Sequence, residues 1–272
     1  MKQNFYMFID FLKKLYRNRY MVKTMAIRDL KARYVGSLFG FLWAVINPLF
    51  LVAIYGIVFG VFFKSKPDPI YGTDSYLLYL MCGLIPWQFF AETAGASSGV
   101  ILSNSNLVKK AVGFPSELLP IITVTTGIIN HLIGVALLLL IIILFTAKLT
   151  LLTPLIFLYL FFISIFAVGV GWILSSLNVY IRDVQQIVGV ALMGLFFFTP
   201  IFYSPAIVPA KALMILKLNP MYHMVEGYRL ALLAGKALPI GDIAYLAAVS
   251  CVTFAIGGVF FRKLKPGFAE VL

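Results

Sequence analysis

The stretch LLPIITVTTGIINHLIGVALLLLIIILFTA, Leu118 to Ala147, contains no Lys, Arg, Asp or Glu. A membrane-crossing helix needs about 20 apolar residues, because a helix rises about 1.5 Å per residue and the hydrocarbon core is about 30 Å thick. Lys148 alone separates this run from a second charge-free run, Leu149 to Ile181. The two runs predict a pair of transmembrane helices joined by a tight turn, and they make the chain an all-α integral membrane protein.

The composition of the whole chain supports the same fold class. Its 272 residues are 62% hydrophobic and 12% charged, and the mean hydropathy is +0.99. Soluble domains are about half apolar and about a quarter charged, so a water-soluble fold is excluded. The formal net charge of +12 would suggest nucleic acid in a soluble protein. In a membrane protein the basic residues cluster in cytoplasmic loops, so no nucleic-acid partner is predicted.

Further charge-free runs on both sides of this pair bring the predicted number of spans to six. The predicted spans are residues 36–63, 75–102, 117–147, 150–178, 184–203 and 242–262. They divide the chain into an interface region, residues 1–34, and a transmembrane domain, residues 35–272. With six spans both termini share one side of the membrane, and 15 of the 22 Lys and Arg residues fall on that side. The excess of basic residues predicts that both termini are cytoplasmic.

The interface region is predicted to contain an amphipathic helix lying in the lipid headgroups. Its apolar residues recur at helical spacing among basic ones, at Phe5, Phe8, Ile9, Leu12, Leu15 and Tyr16. Such a pattern is typical of helices that lie in the membrane surface. A solvated basic arm held by anionic lipid is the alternative.

The segment between spans five and six, residues 204–235, is too polar and too rich in proline for an ordinary span. Its two apolar stretches predict two short re-entrant helices with a turn at Asn219-Pro220. Irregular backbone at membrane depth is tolerated only where protein or water covers it, so this element would line a pathway as an outer gate. The gate candidates are Tyr203, Asn219, Pro220 and Arg229. A loop lying on the outer surface is the alternative.

Few residues in the sequence could carry chemistry. The sequence contains no G-x-x-x-x-G-K-[ST] loop, so the familiar means of binding and hydrolysing ATP is missing. His131 and His223 lack metal-ligand spacing, and no pair of carboxylates shares one face of a span. We therefore predict no catalytic residue, metal or cofactor in this chain, and the energy must come from another subunit or an ion gradient.

Glu92 and His131 are the ionisable candidates for a transport path inside the spans. Ionisable groups at membrane depth are costly and usually face an interior cavity. The alternatives are a Glu92 that reaches the headgroups and a neutral His131 bonded to a neighbouring helix. Five aromatic residues crowd the outer end of span five, where most aromatic residues anchor a helix at the interface: Phe196, Phe197, Phe198, Phe202 and Tyr203. Phe197, Phe198 and Tyr203 are the candidates for the transport path or gate. Any that face inward would offer stacking surfaces for sugar rings.

Four stretches of the sequence point to a particular family of membrane proteins, which hydropathy alone does not. They are RDLKARYVGSLFGFLWAVINP at residues 28–48, NLVKKAVGFPSELLP at 106–120, NVYIRD at 178–183 and FAEVL at 268–272. In this order the chain resembles the permease subunits of ABC-2 type exporters, specifically those for polysaccharides such as O-antigen, capsule and teichoic acid. O-antigen permeases are the most similar group.

The resemblance implies a homodimer in the bacterial inner membrane, bound to two copies of a cytoplasmic ATPase that carries the ATP and Mg²⁺. The substrate it implies is a lipid-linked polysaccharide. The family's coupling helix maps onto residues 106–114, and its second ATPase contact onto residues 28–34. The predicted coupling residues are Arg28, Asp29, Lys31, Arg33, Tyr34, Asn106, Leu107, Val108, Lys109, Lys110, Phe114, Arg182 and Asp183.

Some of these residues have a simpler explanation. Lys109 and Lys110 could serve only as orientation signals, and Arg182 and Asp183 could simply cap the helices on either side of them. Two other functions also remain open at this level. One is an ABC-2 exporter of a small molecule or drug, and the other is a membrane-embedded enzyme that modifies a lipid or glycan.

Overall fold

The computed structural model describes residues 17–110, 114–146 and 149–272, and in these ranges it contains helices and no strand. The helices are α1 (Arg19–Tyr34), α2 (Trp43–Tyr55), α3 (Tyr76–Ser103), α4 (Ser105–Lys110), α5 (Leu118–Thr146), α6 (Leu155–Tyr180), α7 (Val184–Phe197), α8 (Ala210–Leu216), α9 (Pro220–Arg229), α10 (Ile240–Leu264) and α11 (Phe268–Val271). Two of these helices continue as wider π-helical segments, α2 as far as Phe62 and α9 as far as Ala234. The amphipathic pattern of residues 5–16 and the turn at Lys148 lie outside the described residues.

Four helical segments of the described chain are long and apolar enough to cross a membrane. They are Trp43–Phe62, Leu118–Thr146, Leu155–Tyr180 and Ile240–Gly267. This finding confirms the all-α membrane class. The other two predicted spans correspond to α3 and α7. Helix α3 has 28 residues but is more polar than the four candidates, and α7 is apolar but has only 14 residues.

Helix α3 lies at the centre of the bundle, where α5, α6, α7 and α9 pack against it. Its side chains are buried along most of its length, from Tyr76 to Ile101. Protein rather than lipid therefore surrounds α3, and a helix in that position needs less hydrophobicity than one that faces the acyl chains.

Helices α6 and α10 make the most extensive contact of the bundle, and they cross with their backbones touching. A Cβ atom added at Gly257 would overlap the carbonyl oxygen of Gly169, so only glycine fits at this crossing. Small residues allow such close approach in membranes, where packing drives helix association.

The structure differs from the predicted span limits at three places. Helix α2 begins at Trp43, because the preceding residues turn through Gly36, whose φ of 82° favours glycine. Helix α6 begins only after Pro154, since proline suits the start of a helix and not its interior. Helix α7 ends at Phe197, shortly before Thr199-Pro200 interrupts the helix.

The bundle has two ends that differ in their elements. At the first, called here the α4 end, lie α4, the start of α5, the end of α6 and α11. At the second, the α9 end, lie the turn Pro69–Tyr71, residues 199–203, α8 and α9. Helix α1 rises from the α4 end along α5, with Val22 and Ala26 packed on Leu118 and Ile122.

Candidate functional site

A groove of about 490 Å³ lies between α2, α3, α5 and α7. Its aromatic lining residues are Trp43, Tyr55, Trp87, Phe89 and Phe196. Its polar lining residues are Asn47, Gln88, Glu92, Asn130 and His131. The groove therefore combines flat apolar rings with hydrogen-bonding groups, an arrangement that suits a ligand with both kinds of surface.

Helical spacing places the groove residues on shared faces. Trp43, Asn47 and Tyr55 follow one another at multiples of four along α2, and Gln88 and Glu92 are four apart on α3. Residues four apart lie on the same side of a helix. Glu92 and His131 are the transport-path candidates from the sequence that line this groove, and the spacing could also have identified Asn47, Tyr55 and Gln88.

The carboxylate of Glu92 joins three helices at one wall of the groove. It forms an ion pair with Arg33 of α1 and accepts a hydrogen bond from Asn130 Nδ2 of α5 at 3.1 Å. Arg33 Nη2 also lies 3.5 Å from Oδ2 of Asp29 on the same helix, α1. A residue predicted to face an ATPase, Arg33, thus contacts a residue predicted to line the transport path, Glu92.

His131 is buried in the wall of the groove, with 4% of its surface exposed. Its Nε2 atom lies 2.7 Å from the hydroxyl of Tyr228 on α9, and its ring centroid is 5.3 Å from that of Phe89. His131 is both bonded to a neighbouring helix and part of the groove wall. The bond to a neighbouring helix that the sequence offered as an alternative is present, and a role of His131 in a transport path stays a prediction.

Aromatic packing closes the groove toward the α9 end. The ring of Phe202 packs edge-on against Tyr55 and Phe196, with centroids 4.9 Å away in both cases. The neighbouring residues Phe197 and Phe198 are mostly exposed and do not line the groove. The ring that the groove uses is therefore Phe196, one residue before the predicted pair.

Arg229 belongs to a buried polar network at the α9 end rather than to an open path. It has no exposed surface, and its Nη1 atom donates to Glu226 Oε1 at 2.9 Å. The hydroxyl of Tyr71 donates to Glu226 Oε2 at 2.7 Å, and the guanidinium lies 3.6 Å from the ring centroid of Tyr79. Sequence reasoning missed Glu226, although its i,i+3 spacing from Arg229 is typical of a helical ion pair.

The same guanidinium fixes the chain that leaves α7. Nη1 donates to the carbonyl oxygen of Pro200 at 2.6 Å, and Nη2 donates to that of Ile201 at 2.8 Å. The hydroxyl of Tyr79 donates to the carbonyl oxygen of Tyr203 at 2.7 Å. Residues 200–203 are therefore tied to α3 and α9 through side-chain bonds.

Asn219 and Pro220 form the start of α9. Asn219 Oδ1 accepts a hydrogen bond from the backbone N–H of Met221 at 3.0 Å, which caps the helix, and Pro220 occupies its first turn. Asn219 Nδ2 donates to Thr199 Oγ1 at 2.8 Å. The two predicted short helices are present as α8 and α9, with this cap between them.

The predicted coupling residues other than Arg182 and Asp183 form two neighbouring groups, one on and after α4 and one on α1. Asn106, Leu107, Val108 and Lys109 lie on α4, and Phe114 follows it, whereas the basic residues of α1 run alongside α5. Arg28 and Asp29 border a small cleft together with Asn104 and Thr123. The side chains of Tyr34 and Lys110 lie outside the described part of the structure.

Arg182 and Asp183 are exposed where α6 passes into α7. Asp183 precedes α7, but its carboxylate makes no capping hydrogen bond to that helix. Within the described residues, no group of three or more His, Cys, Asp or Glu side chains is placed to hold a metal ion.

Comparison with known proteins connects this architecture to one family. The profile described as "ABC-2 type transporter" matches residues 20–233. The chain is 30% identical over 271 residues to the O-antigen export system permease protein RfbA of Klebsiella pneumoniae, covering 96% of this chain and 99% of that protein. It is also 30% identical over 266 residues to RfbA of Myxococcus xanthus, covering 96% and 99%. Identity to the polysialic acid transport protein KpsM of Escherichia coli is 27% over 246 residues, covering 89% and 92%.

Proposed function

The chain belongs to the ABC-2 type transporter family, and we propose that it is the permease subunit of an ATP-driven exporter of a lipid-linked polysaccharide. O-antigen is the substrate that we favour, because the relatives named for O-antigen export are more similar to this chain than those named for polysialic acid transport. A separate cytoplasmic ATPase would bind the ATP and Mg²⁺.

The groove is the observation that carries this proposal. Sugar rings have apolar C–H faces that pack on aromatic rings, and hydroxyls that bond to amide and carboxylate groups. Tyr55, Trp87 and Phe196 offer the first kind of surface, and Gln88 and Glu92 the second. Its volume of about 490 Å³ lies within the range of about 300–1,000 Å³ usual for organic ligands. A groove of this size holds a few sugars at a time, so a long polymer would pass through it stepwise.

Six spans with both termini in the cytoplasm fit this function. Helix α3 has 28 residues and is about 42 Å long at about 1.5 Å per residue, enough to cross the bilayer inside a protein bundle. Helix α7 is shorter, and it would complete its crossing with residues 198–203. The α4 end then faces the cytoplasm, in line with its basic residues on α1, α4 and the chain after α10.

A second copy of the chain would close the groove. Its walls α2 and α7 bury few of their own side chains, and Val184 and Val188 are the fully buried residues of α7. Gly189 and Gly194 on α7 meet no side chain within 4 Å. Exposed small residues favour close packing with another helix, so α7 is a suitable face for a homodimer.

The ATPase would act on the α4 end. Helix α4 would seat in the ATPase as the coupling helix, and α1 would be the second contact. Because Arg33 of α1 is paired with Glu92, movement of α1 would reach the wall of the groove directly. At the opposite end, α8 and α9 would dip into the membrane as re-entrant helices and form the outer gate.

Co-purification with an ATPase tests the proposal. We expect the chain to retain two ATPase copies per dimer, and lipid-linked glycan to stimulate ATP hydrolysis in proteoliposomes. Substitution Tyr55→Ala should lower glycan export, whereas Phe157→Ala should leave export intact, because the ring of Phe157 on α6 is exposed and lies outside both the groove and α7. Stimulation by a small molecule and not by glycan would identify a drug exporter. Conversion of a substrate by the chain alone would identify an enzyme.

A further inference from the structure

The C-terminal motif FAEVL has a defined place in the structure. Helix α10 ends at Leu264, the chain turns at Lys265–Gly267, and α11 (Phe268–Val271) folds back under the bundle. Phe268 is 1% exposed, and its ring packs on Phe261 and Tyr180 with centroid distances of 5.4 and 6.2 Å. Phe268 therefore anchors α11 in the core at the α4 end.

Two polar contacts hold this turn in place. The hydroxyl of Tyr180, at the end of α6, donates to the carbonyl oxygen of Leu264 at 2.8 Å. Lys265 Nζ donates to Glu117 Oε2 at 2.6 Å, and Glu117 lies in the segment that connects α4 to α5. The backbone carbonyl of Glu117 in turn accepts a hydrogen bond from Trp172 Nε1 at 2.9 Å. Lys265 thus connects the end of α10 to the chain that leaves α4.

Gly267 allows the tight turn between these contacts. A Cβ atom at this position would overlap the hydroxyl of Tyr180, the group that bonds to Leu264. Any larger residue would therefore push Tyr180 away from the turn.

Helix α4 rests on this segment. Helix α11 contacts both α4 and α6. Val108 of α4, Phe114 after it and Leu272 are partly buried against the main apolar core of the bundle, to which Phe268 also belongs. Helix α4 has only six residues, and isolated helices shorter than about 12 residues are marginal in water. Its position must therefore come from the elements on which it packs.

We infer that residues 265–272 are a positioning element for α4, which we call the tail seat. The tail seat links α4, through α11, to α6 and to the end of α10, so that a push on α4 moves these spans instead of bending the loops beside it. This role rests on the proposed function, in which α4 receives that push from the ATPase. Lys265 is then a positioning residue for transport, acting through Glu117.

The test measures how much glycan is exported per ATP hydrolysed, in proteoliposomes that contain the chain together with its ATPase. Substitution Lys265→Glu places two acids side by side, and we expect glycan exported per ATP to fall by about fivefold or more, a typical size for coupling between sites. The double variant Lys265→Glu/Glu117→Lys restores the pair with reversed charges and should recover most of the loss. Lys263→Glu is the matched control, because Lys263 is exposed two residues away.

Lys265→Met gives a second measurement if Lys265→Glu does not assemble, because it removes the charge and keeps the aliphatic stem. A chain that binds no ATPase would refute the proposed function itself. Normal ATPase binding with unchanged export per ATP in Lys265→Met and Lys265→Glu would refute the tail seat alone. Loss in Lys265→Glu that the double variant does not recover would also refute it. A purely structural contact would lower the amount of folded complex without changing export per ATP.

Discussion

The two ends of the bundle hold their charged groups in different ways. At the α9 end, Arg229 and Glu226 are almost completely buried, and every bond of their network stays inside protein. Two other ion pairs keep part of their surface exposed and join elements from distant parts of the chain. They are Arg33–Glu92 in the groove and Lys265–Glu117 at the α4 end. A buried, fully bonded network resists rearrangement, whereas exposed pairs can exchange partners at little cost. The difference indicates a frame of fixed internal shape at the α9 end, so that an outer gate there would move as one unit. The movable joint is Arg33–Glu92, whose carboxylate is more exposed than that of Glu117.

Removing the cation of the fixed frame should have the largest effect on stability. Arg229→Met leaves Glu226 buried without its counter-ion, a loss that costs about 3–5 kcal/mol when one partner of a buried pair is removed. We expect a large drop in the thermal unfolding temperature in detergent, with Lys236→Met, an exposed lysine at the same end, as the control. The double variant Arg229→Met/Glu226→Gln should recover part of the loss. An unfolding temperature equal to that of the parent would show that the network is not the frame.

Breaking the groove pair should affect transport more than stability. Arg33 and Glu92 side chains are 25% and 38% exposed, so Glu92→Gln should cost less than about 1 kcal/mol of stability. Export should nevertheless fall, because α1 loses its charged contact with the groove wall. The charge-reversed double variant Arg33→Glu/Glu92→Arg should export better than either single variant. Asp74→Asn, an exposed carboxylate at the α9 end, is the control. Equal export by all of these variants would remove this joint from the mechanism.

The smallest expected effect concerns His223 at the start of α9. Burial lowers the pKa of His223, while Asp242, whose carboxylate oxygen lies 3.6 Å from Nδ1, opposes the shift. As the pH falls, the imidazole of His223 therefore gains a proton at a higher pH in the unfolded chain than in the folded one. The contribution of neutral His223 to folding stability is fully present above about pH 6.5 and decreases as the pH falls below that value. We expect the unfolding temperature of the parent to decline more between pH 7 and pH 5 than that of His223→Gln. Parallel curves for the two proteins would contradict this assignment.

Much of the helical layout follows from local sequence. The predicted spans 75–102 and 117–147 lie within one residue of α3 and α5 at each end. For α5 the charge-free run set the limits, and for α3 the run was extended past Glu92 through the small residues that follow it. Span limits were wrong where glycine or proline changes the backbone inside an apolar run, as at Gly36 and Pro154. The close backbone contact of Gly169 with Gly257 joins two different helices, so no spacing along one helix could predict it.

The sequence by itself determined that this chain is a helical membrane protein of the ABC-2 type, because hydropathy and family motifs are properties of neighbouring residues. Only the tertiary structure decided which polar side chains meet. Arg33 and Glu92 are 59 residues apart, and Lys265 and Glu117 are 148 apart, so no periodicity along one helix could connect them. The sequence also could not decide the role of Arg229, because an arginine at this position is equally suited to a gate or to a core. Packing of α9 against α3 buries it, and burial makes it part of the frame.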